Sequence, residues 1–273
     1  MRNLRVLVAY DGSRFAGWQR QDGFETAQQA LEEALLELTG QPCVVHGASR
    51  TDSGVHALGQ VASFFASTRL DDDRFRHALN AHLPRGVVVQ RLETCRDDFH
   101  ARYSARGKRY LYVVATSRFR LPFANDYAHW TNQPLASGAV SEAASLLVGK
   151  HDFVAFSSVG APRRSTVRTI QHLHLLPRRR SFAFVVQGDG FLYNMVRIVA
   201  GTLLDVGRGR ITPADVARAL ECGDRNLVGA TAPAEGLYLL RVLYDEPVFT
   251  APDRGVRGTS GWRFEAREPQ ELP

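Results

Sequence analysis

Cysteine is sparse: Cys43, Cys95 and Cys222 lie far apart, with no C-x-x-C pair and an odd total. This argues against a disulfide framework or a thiolate zinc site and fits a reducing, cytoplasmic compartment. No apolar run is long enough to span a bilayer; the longest, Phe191 to Val206, is broken by Asn194, Arg197 and Asp205. The N-terminus enters a strand-like segment without a signal-peptide pattern, so no membrane partner is expected. Lysine is scarce beside arginine, and acidic residues are outnumbered, 28 against 34, leaving a net charge of +6. Guanidinium forks suit phosphates and bases, and counterion release would favour an anionic partner such as nucleic acid. A GC-rich genome would give the same arginine bias, and many basic proteins never touch nucleic acid.

The rest of the composition is that of a folded chain. Hydrophobic residues make up 44% and charged residues 23% of 273 residues, enough core for one large domain or two medium ones. Strands are expected over Leu4 to Tyr10, Cys43 to Gly47, Val61 to Ala66, Val87 to Glu93, Lys108 to Ala115, Thr166 to Leu176, Ser181 to Gln187 and Leu237 to Tyr244. Apolar residues at helical spacing predict helices over Ala27 to Thr39 with Gly40 as the stop, from an Asp71–Asp73 cap to Leu83, and over Ser137 to Val148, Phe191 to Val206 and Pro213 to Glu221. The order of elements repeats in two similar halves, 1–103 and 104–247, before a tail, 248–273, rich in Pro, Gly and charge and read as loosely ordered. Strand pairs between helices favour an α+β fold, with mixed or antiparallel sheets flanked by helices, over a doubly wound one.

One polar loop stands out between two apolar strands, Gly47-Ala48-Ser49-Arg50-Thr51-Asp52-Ser53-Gly54-Val55-His56-Ala57. It gathers a carboxylate, a guanidinium and an imidazole on what would be a rigid mount. On turn preferences alone, Thr-Asp-Ser-Gly is ordinary turn composition in which Asp bonds its own backbone. His172 and His174 alternate on a strand but find no third ligand at metal spacing, so they read as structural and no metal site is assigned. Arg163-Arg164, Arg168 and Arg178 to Arg180 are candidate phosphate contacts or a solvated face in equal measure.

The loop resembles the G-R-T-D-A-G-V-H-A motif of the tRNA pseudouridine synthase A family, with Ser49 and Ser53 in place of a frequent Gly and Ala. Further segments resemble the family in the same order: Tyr10-Asp11-Gly12, Phe15-Ala16-Gly17-Trp18-Gln19-Arg20-Gln21, Ala78-Leu79-Asn80 with Leu83-Pro84, Asp98-Phe99-His100-Ala101-Arg102, Lys108-Arg109-Tyr110-Leu111-Tyr112, Gly190 to Arg197, and Ala234 to Leu239. The resemblance spans about residues 1–245. It implies a pseudouridine-synthase-like fold with the active-site cleft between the halves. The implied enzyme is an isomerase, turning uridine to pseudouridine at positions 38, 39 and 40 of the tRNA anticodon stem-loop, as a cytoplasmic homodimer.

That reaction breaks the N1–C1′ bond, rotates the uracil and joins C5 to C1′; nothing is oxidised or lost, so no cofactor is expected. The resemblance implies Asp52 as the essential catalytic carboxylate (nucleophile); whether it attacks sugar or base, or removes a proton, is not legible. Each route needs it ionised and near the nucleotide. Arg197 is implied as the catalytic cation that keeps it charged, and the plain alternative is an arginine snorkelling from an apolar helix. Tyr110 is implied as a catalytic and base-stacking ring, or else a core Tyr of an alternating strand. Arg50 is implied at the point where the nucleotide leaves its stack, or else a solvated charge. Phe191, Leu192 and Met195 would line a slot for the base. His56, Arg163 and Arg164 complete the substrate-binding candidates, although a His beside Val55 and Ala57 also reads as a hydrogen-bonded structural residue. Two other readings compete: a non-catalytic tRNA-binding or tRNA-folding protein on the same scaffold, which would need none of Asp52, Tyr110 and Arg197, and a carboxylate-dependent hydrolase, which should show a second acid, a metal cluster or a phosphate loop.

Overall fold

The computed structural model describes residues 1–158, 165–178 and 180–249. Arg163, Arg164, Arg179 and nearly all of the C-terminal tail lie outside the described residues. Ten strands form one mixed sheet: β1 Arg2–Tyr10, β2 His46–Gly47, β3 His56–Ala66, β4 Val87–Thr94, β5 Gly107–Thr116, β6 His129–Thr131, β7 Gly149–Asp152, β8 Val167–Arg178, β9 Ser181–Gly188 and β10 Leu237–Leu243. Their order is β4-β1-β3-β10-β5-β9-β8-β7, with β2 on β3 and β6 on β5. The helices are α1 Ala27–Thr39, α2 Asp72–His82, α3 Ser137–Leu146, α4 Met195–Gly207 and α5 Pro213–Cys222. The fold is therefore α+β, as the strand-pair pattern implied.

Local rules explain most elements. Strand β1 buries alternate residues, Leu4, Val6, Val8 and Tyr10, the period of a sheet with one face on a core. Helix α1 opens on Thr26, whose side chain accepts the Gln29 N–H, and stops at Gly40 in the left-handed region. It buries Leu31 and Leu35 completely, each contributing about 1.5–3 kcal/mol. Helix α2 is capped by the Asp71 side chain, and α5 opens on a capping box between Thr212 and Asp215.

Four expectations are corrected. Cys43 to Gly47 is reduced to the two residues that pair with β3, while β3 itself starts at His56 instead of Val61. Its extra residues pair with β10 through Tyr238 and Leu239, a long-range partner that local composition does not reveal. The apolar helix begins at Met195, not Phe191, because Asn194 takes φ 60, which no helix interior accommodates. Helix α3 ends at Leu146, and Gly149 opens the unexpected strand β7.

Two junctions position the site. The parallel pairing of β10 with β3 joins strands from early and late in the chain into one sheet. Helix α4, buried almost all round, packs against the backbone of residues 229–232; a Cβ on Gly201 would collide with the Ala230 carbonyl. The Gly229 N–H donates to Thr202 Oγ1, and the Ala232 N–H donates to the Arg197 carbonyl. The first turn of α4 is thereby fixed in depth and rotation.

Candidate active site

The polar loop between Ala48 and Val55 is fastened from below by buried side chains. Gln60, fully buried, accepts the Ser49 N–H at 3.1 Å and donates to the Ser49 carbonyl at 2.6 Å. The Tyr10 hydroxyl pairs with Thr51 Oγ1 at 2.6 Å, and the Ser49 hydroxyl with that of Tyr110 at 2.8 Å. Gly17, at φ 94, lies so close to the Thr51 carbonyl that any Cβ would clash, and the neighbouring Trp18 N–H donates to that carbonyl. These bonds to the Ser49 and Thr51 backbone tie the loop to the sheet on either side of Arg50 and carry Asp52 on it.

Gln60→Leu tests this fastening. It leaves the Ser49 N–H and C=O buried without partners, at about 1–3 kcal/mol each, so melting should fall by several degrees. An unchanged melting temperature would show that the loop holds itself.

Asp52 faces the start of α4. The Arg197 guanidinium reaches Asp52 Oδ2 with Nη1 at 3.4 Å, and the two side chains are 18% and 29% exposed, Arg197 first. Arg197 is itself held, donating from Nε to the Ala232 carbonyl at 2.7 Å and from Nη1 to Asn194 Oδ1 at 3.0 Å. Asn194, the one described non-glycine residue with positive φ, also donates to Ser158 Oγ. Such a conformation costs free energy that its fixed surroundings must hold. Burial pushes the Asp52 carboxyl above its ordinary pKa of 3.8; the charge and hydrogen bond of Arg197 oppose this without cancelling it.

Tyr110 is buried beside this pair, with Phe191 edge-on to its ring at 5.3 Å. Burial pushes its phenol up to about 12, and the Asp52 charge adds to the rise against the Ser49 hydrogen bond. It is a neutral hydroxyl at working pH. Arg50 is exposed on the loop. Asp52, Arg50, Tyr110, Phe191, Leu192, Met195 and Arg197 all line one cleft of about 820 Å³, a volume that suits a nucleotide-sized group.

His56 is placed elsewhere. It is buried beneath the loop and absent from the cleft lining. Nδ1 accepts the Gly12 N–H at 3.0 Å, so Nε2 carries the proton and donates to the Asp126 carbonyl at 2.8 Å. The ring stacks on Tyr238 at 4.6 Å, and burial pulls its pKa below the usual imidazole value against the pull of Asp126 and Asp11. It can fasten the loop to the Gly12 turn but cannot touch a ligand in the cleft. Arg178 and Arg180 sit at the β8–β9 turn, also away from the lining.

Sequence reasoning did not single out Gln60, Thr51, Asn194 or the Ser49–Tyr110 link. Gln60 carries one signal, an amide in the middle of an otherwise apolar strand. Asn194 carries another, a residue type that tolerates left-handed backbone at the head of an apolar helix.

A family model described as tRNA pseudouridine synthase matches residues 6–104 and 143–245. Asp52 and Arg197 fall inside the matched segments, and Tyr110 between them. The tRNA pseudouridine synthase A of Acetivibrio thermocellus is 43% identical over 244 residues, 89% of this chain and 100% of the relative. That of Geobacillus kaustophilus is 42% identical over 246 residues, 90% and 95% respectively. The solved Cbf5-Nop10-Gar1 complex aligns over 87% of this chain and 49% of that one, at 11% identity and a TM-score of 0.37, too loose a likeness to argue from.

Proposed function

The chain belongs to the tRNA pseudouridine synthase family, and from that premise we propose that it isomerises uridine to pseudouridine in tRNA with Asp52 as the essential carboxylate. The observation that carries this reading is the Asp52–Arg197 pair at 3.4 Å on the floor of a nucleotide-sized cleft. Asp52, ionised, forms a transient bond to the extruded nucleotide as nucleophile while the N1–C1′ bond breaks. The freed uracil turns, C5 joins C1′, the bond to Asp52 breaks and returns the electron pair to the carboxylate, and the C5 proton is lost while N1 gains one. Arg197 stabilises the carboxylate charge, Tyr110 lies against the base, Leu192 walls its slot, and Arg50 occupies the gap left in the RNA stack. Arg163 and Arg164 contact phosphates. His56 serves indirectly, through the loop it fastens.

The test is incubation of unmodified tRNA transcripts with the purified protein, followed by chemical mapping of pseudouridine. Modification is expected at positions 38–40 of the anticodon stem-loop. Folded protein that leaves every uridine unchanged would overturn the reading. Affinity for tRNA should fall steeply with salt, with a log–log slope of several units, because phosphate contacts release counterions. A flat dependence would point to a small uncharged ligand.

We also propose a cytoplasmic homodimer. No described helix is long and apolar enough to cross a membrane. Phe119, Leu121 and Phe123 are exposed within five positions, Phe123 by 97%, and a second copy would cover them. Sedimentation should give a dimer that Phe123→Asp weakens. A wild-type monomer at micromolar concentration would refute this.

A further inference from the structure

The cleft continues past Tyr110 to a rim whose side chains the isomerisation does not use. There His46, His100 and Tyr103 form a ladder of rings, with centroids 4.8 Å apart for the first pair and 4.3 Å for the second. All three line the same cleft as Asp52, yet His46 is exposed and Tyr103 is 74% exposed. The ladder does not float. His100 Nδ1 accepts the backbone N–H of Arg102 at 3.1 Å and of Tyr103 at 3.4 Å, which fixes its ring and the turn bearing Tyr103. An exposed aromatic carried on such a turn and packed against a held ring offers stacking surface.

Cations gather beside the rings. The Arg102 guanidinium sits 5.7 Å from the Tyr103 centroid. Lys108 lies in the cleft, and burial first, then the positive charges of Arg102 and Arg168, hold its ammonium below the ordinary pKa. Converging cations with a desolvated member are costly until an anion arrives. Lys108 and Tyr110 are alternate residues of β5 and both line the cleft, so the anion site lies along the strand from the proposed base site.

We propose that this rim is a subsite for the nucleotide adjoining the one modified: an unpaired RNA base stacks on Tyr103 and its phosphate rests on Arg102 and Lys108. The subsite rests on the tRNA reading above and extends it. Rings alone would suit any flat ligand and cations alone any anion; the two side by side in the cleft that holds Asp52 suit the base and phosphate of one nucleotide.

Tyr103→Ala and Tyr103→Phe are compared by tRNA binding and by KM and kcat. The exposed side chain makes either change harmless to folding. Tyr103→Ala should raise Kd and KM on the order of ten-fold, the loss of one base–aromatic stack, with kcat at saturation within about two-fold; Tyr103→Phe should match wild type. Lys108→Gln should lower the salt slope of binding by about one unit. A tRNA made abasic at the nucleotides flanking the target should bind wild type as weakly as intact tRNA binds Tyr103→Ala, and lose nothing further with that variant. Wild-type binding and turnover by Tyr103→Ala would overturn the subsite. A wild-type protein that makes no pseudouridine would overturn the function instead, and the binding comparison would still decide the subsite.

Discussion

Asp52→Asn is expected to lose at least about 10³-fold in pseudouridine formation while tRNA affinity stays within about two-fold. The amide keeps the shape of the carboxyl but carries no charge, so it can neither attack nor take a proton. Its effect on stability has the opposite sign. The Asp52 carboxyl titrates above 3.8 in the folded protein because burial outweighs the help of Arg197. Stability from its tighter proton binding is complete below 3.8 and is lost as pH rises through the raised value. At neutral pH the ionised carboxylate therefore costs stability, and Asp52→Asn should melt at or above the wild-type temperature. Calorimetry and a single-turnover assay check both halves. An active variant would remove the assignment of Asp52; an inactive one that melts well below wild type would show only that the fold had been damaged.

Arg197→Met is expected to have the second largest effect, and its signature is a pH profile. Without the guanidinium, nothing opposes the burial that raises Asp52, and the carboxyl stays protonated to higher pH. The rate should fall on the order of 10²-fold at the acid end of the profile and recover part of the loss as pH rises. The Ala232 carbonyl also loses its donor, which costs about 1 kcal/mol of stability and is read separately by melting. Arg197→Lys should fall between the two. Its ammonium can restore charge, but it lacks the fork that serves the Ala232 carbonyl, Asn194 and Asp52 together. A rate profile for Arg197→Met that runs parallel to wild type at every pH would sink the electrostatic role, and Arg197 would then be a structural clamp on Ala232.

The elements and the site were legible to different depths. Helix α1 could be read almost to the residue, since its periodicity, its Gly40 stop and its apolar stripe are all local. The strand pair β8–β9 followed from alternation and a short basic turn; the pairing of β5 with β9, strands distant in the chain, did not. Asp52 was marked by its loop composition and family resemblance, and Arg197 by resemblance alone, because an arginine on an apolar helix looks the same whether it faces solvent or an acid.

What the sequence by itself determined is the set of parts: which segments are strand or helix, which loop bears the carboxylate, and which family's chemistry those residues resemble. Their meeting was decided only in three dimensions. Asp52 and Arg197 are 145 positions apart and come together because β10 pairs in parallel with two residues of β3 and because Gly201 lets α4 settle on the 229–232 backbone. Neither contact leaves a periodic trace, since a parallel pairing needs a long crossover and a close approach needs only one missing side chain. The fate of His56 turned on the same point. Its neighbours favoured a hydrogen-bonded structural residue while it also stood as a substrate-binding candidate; the Gly12 N–H and the Asp126 carbonyl, 44 and 70 positions away, took both ring nitrogens and left none for the cleft.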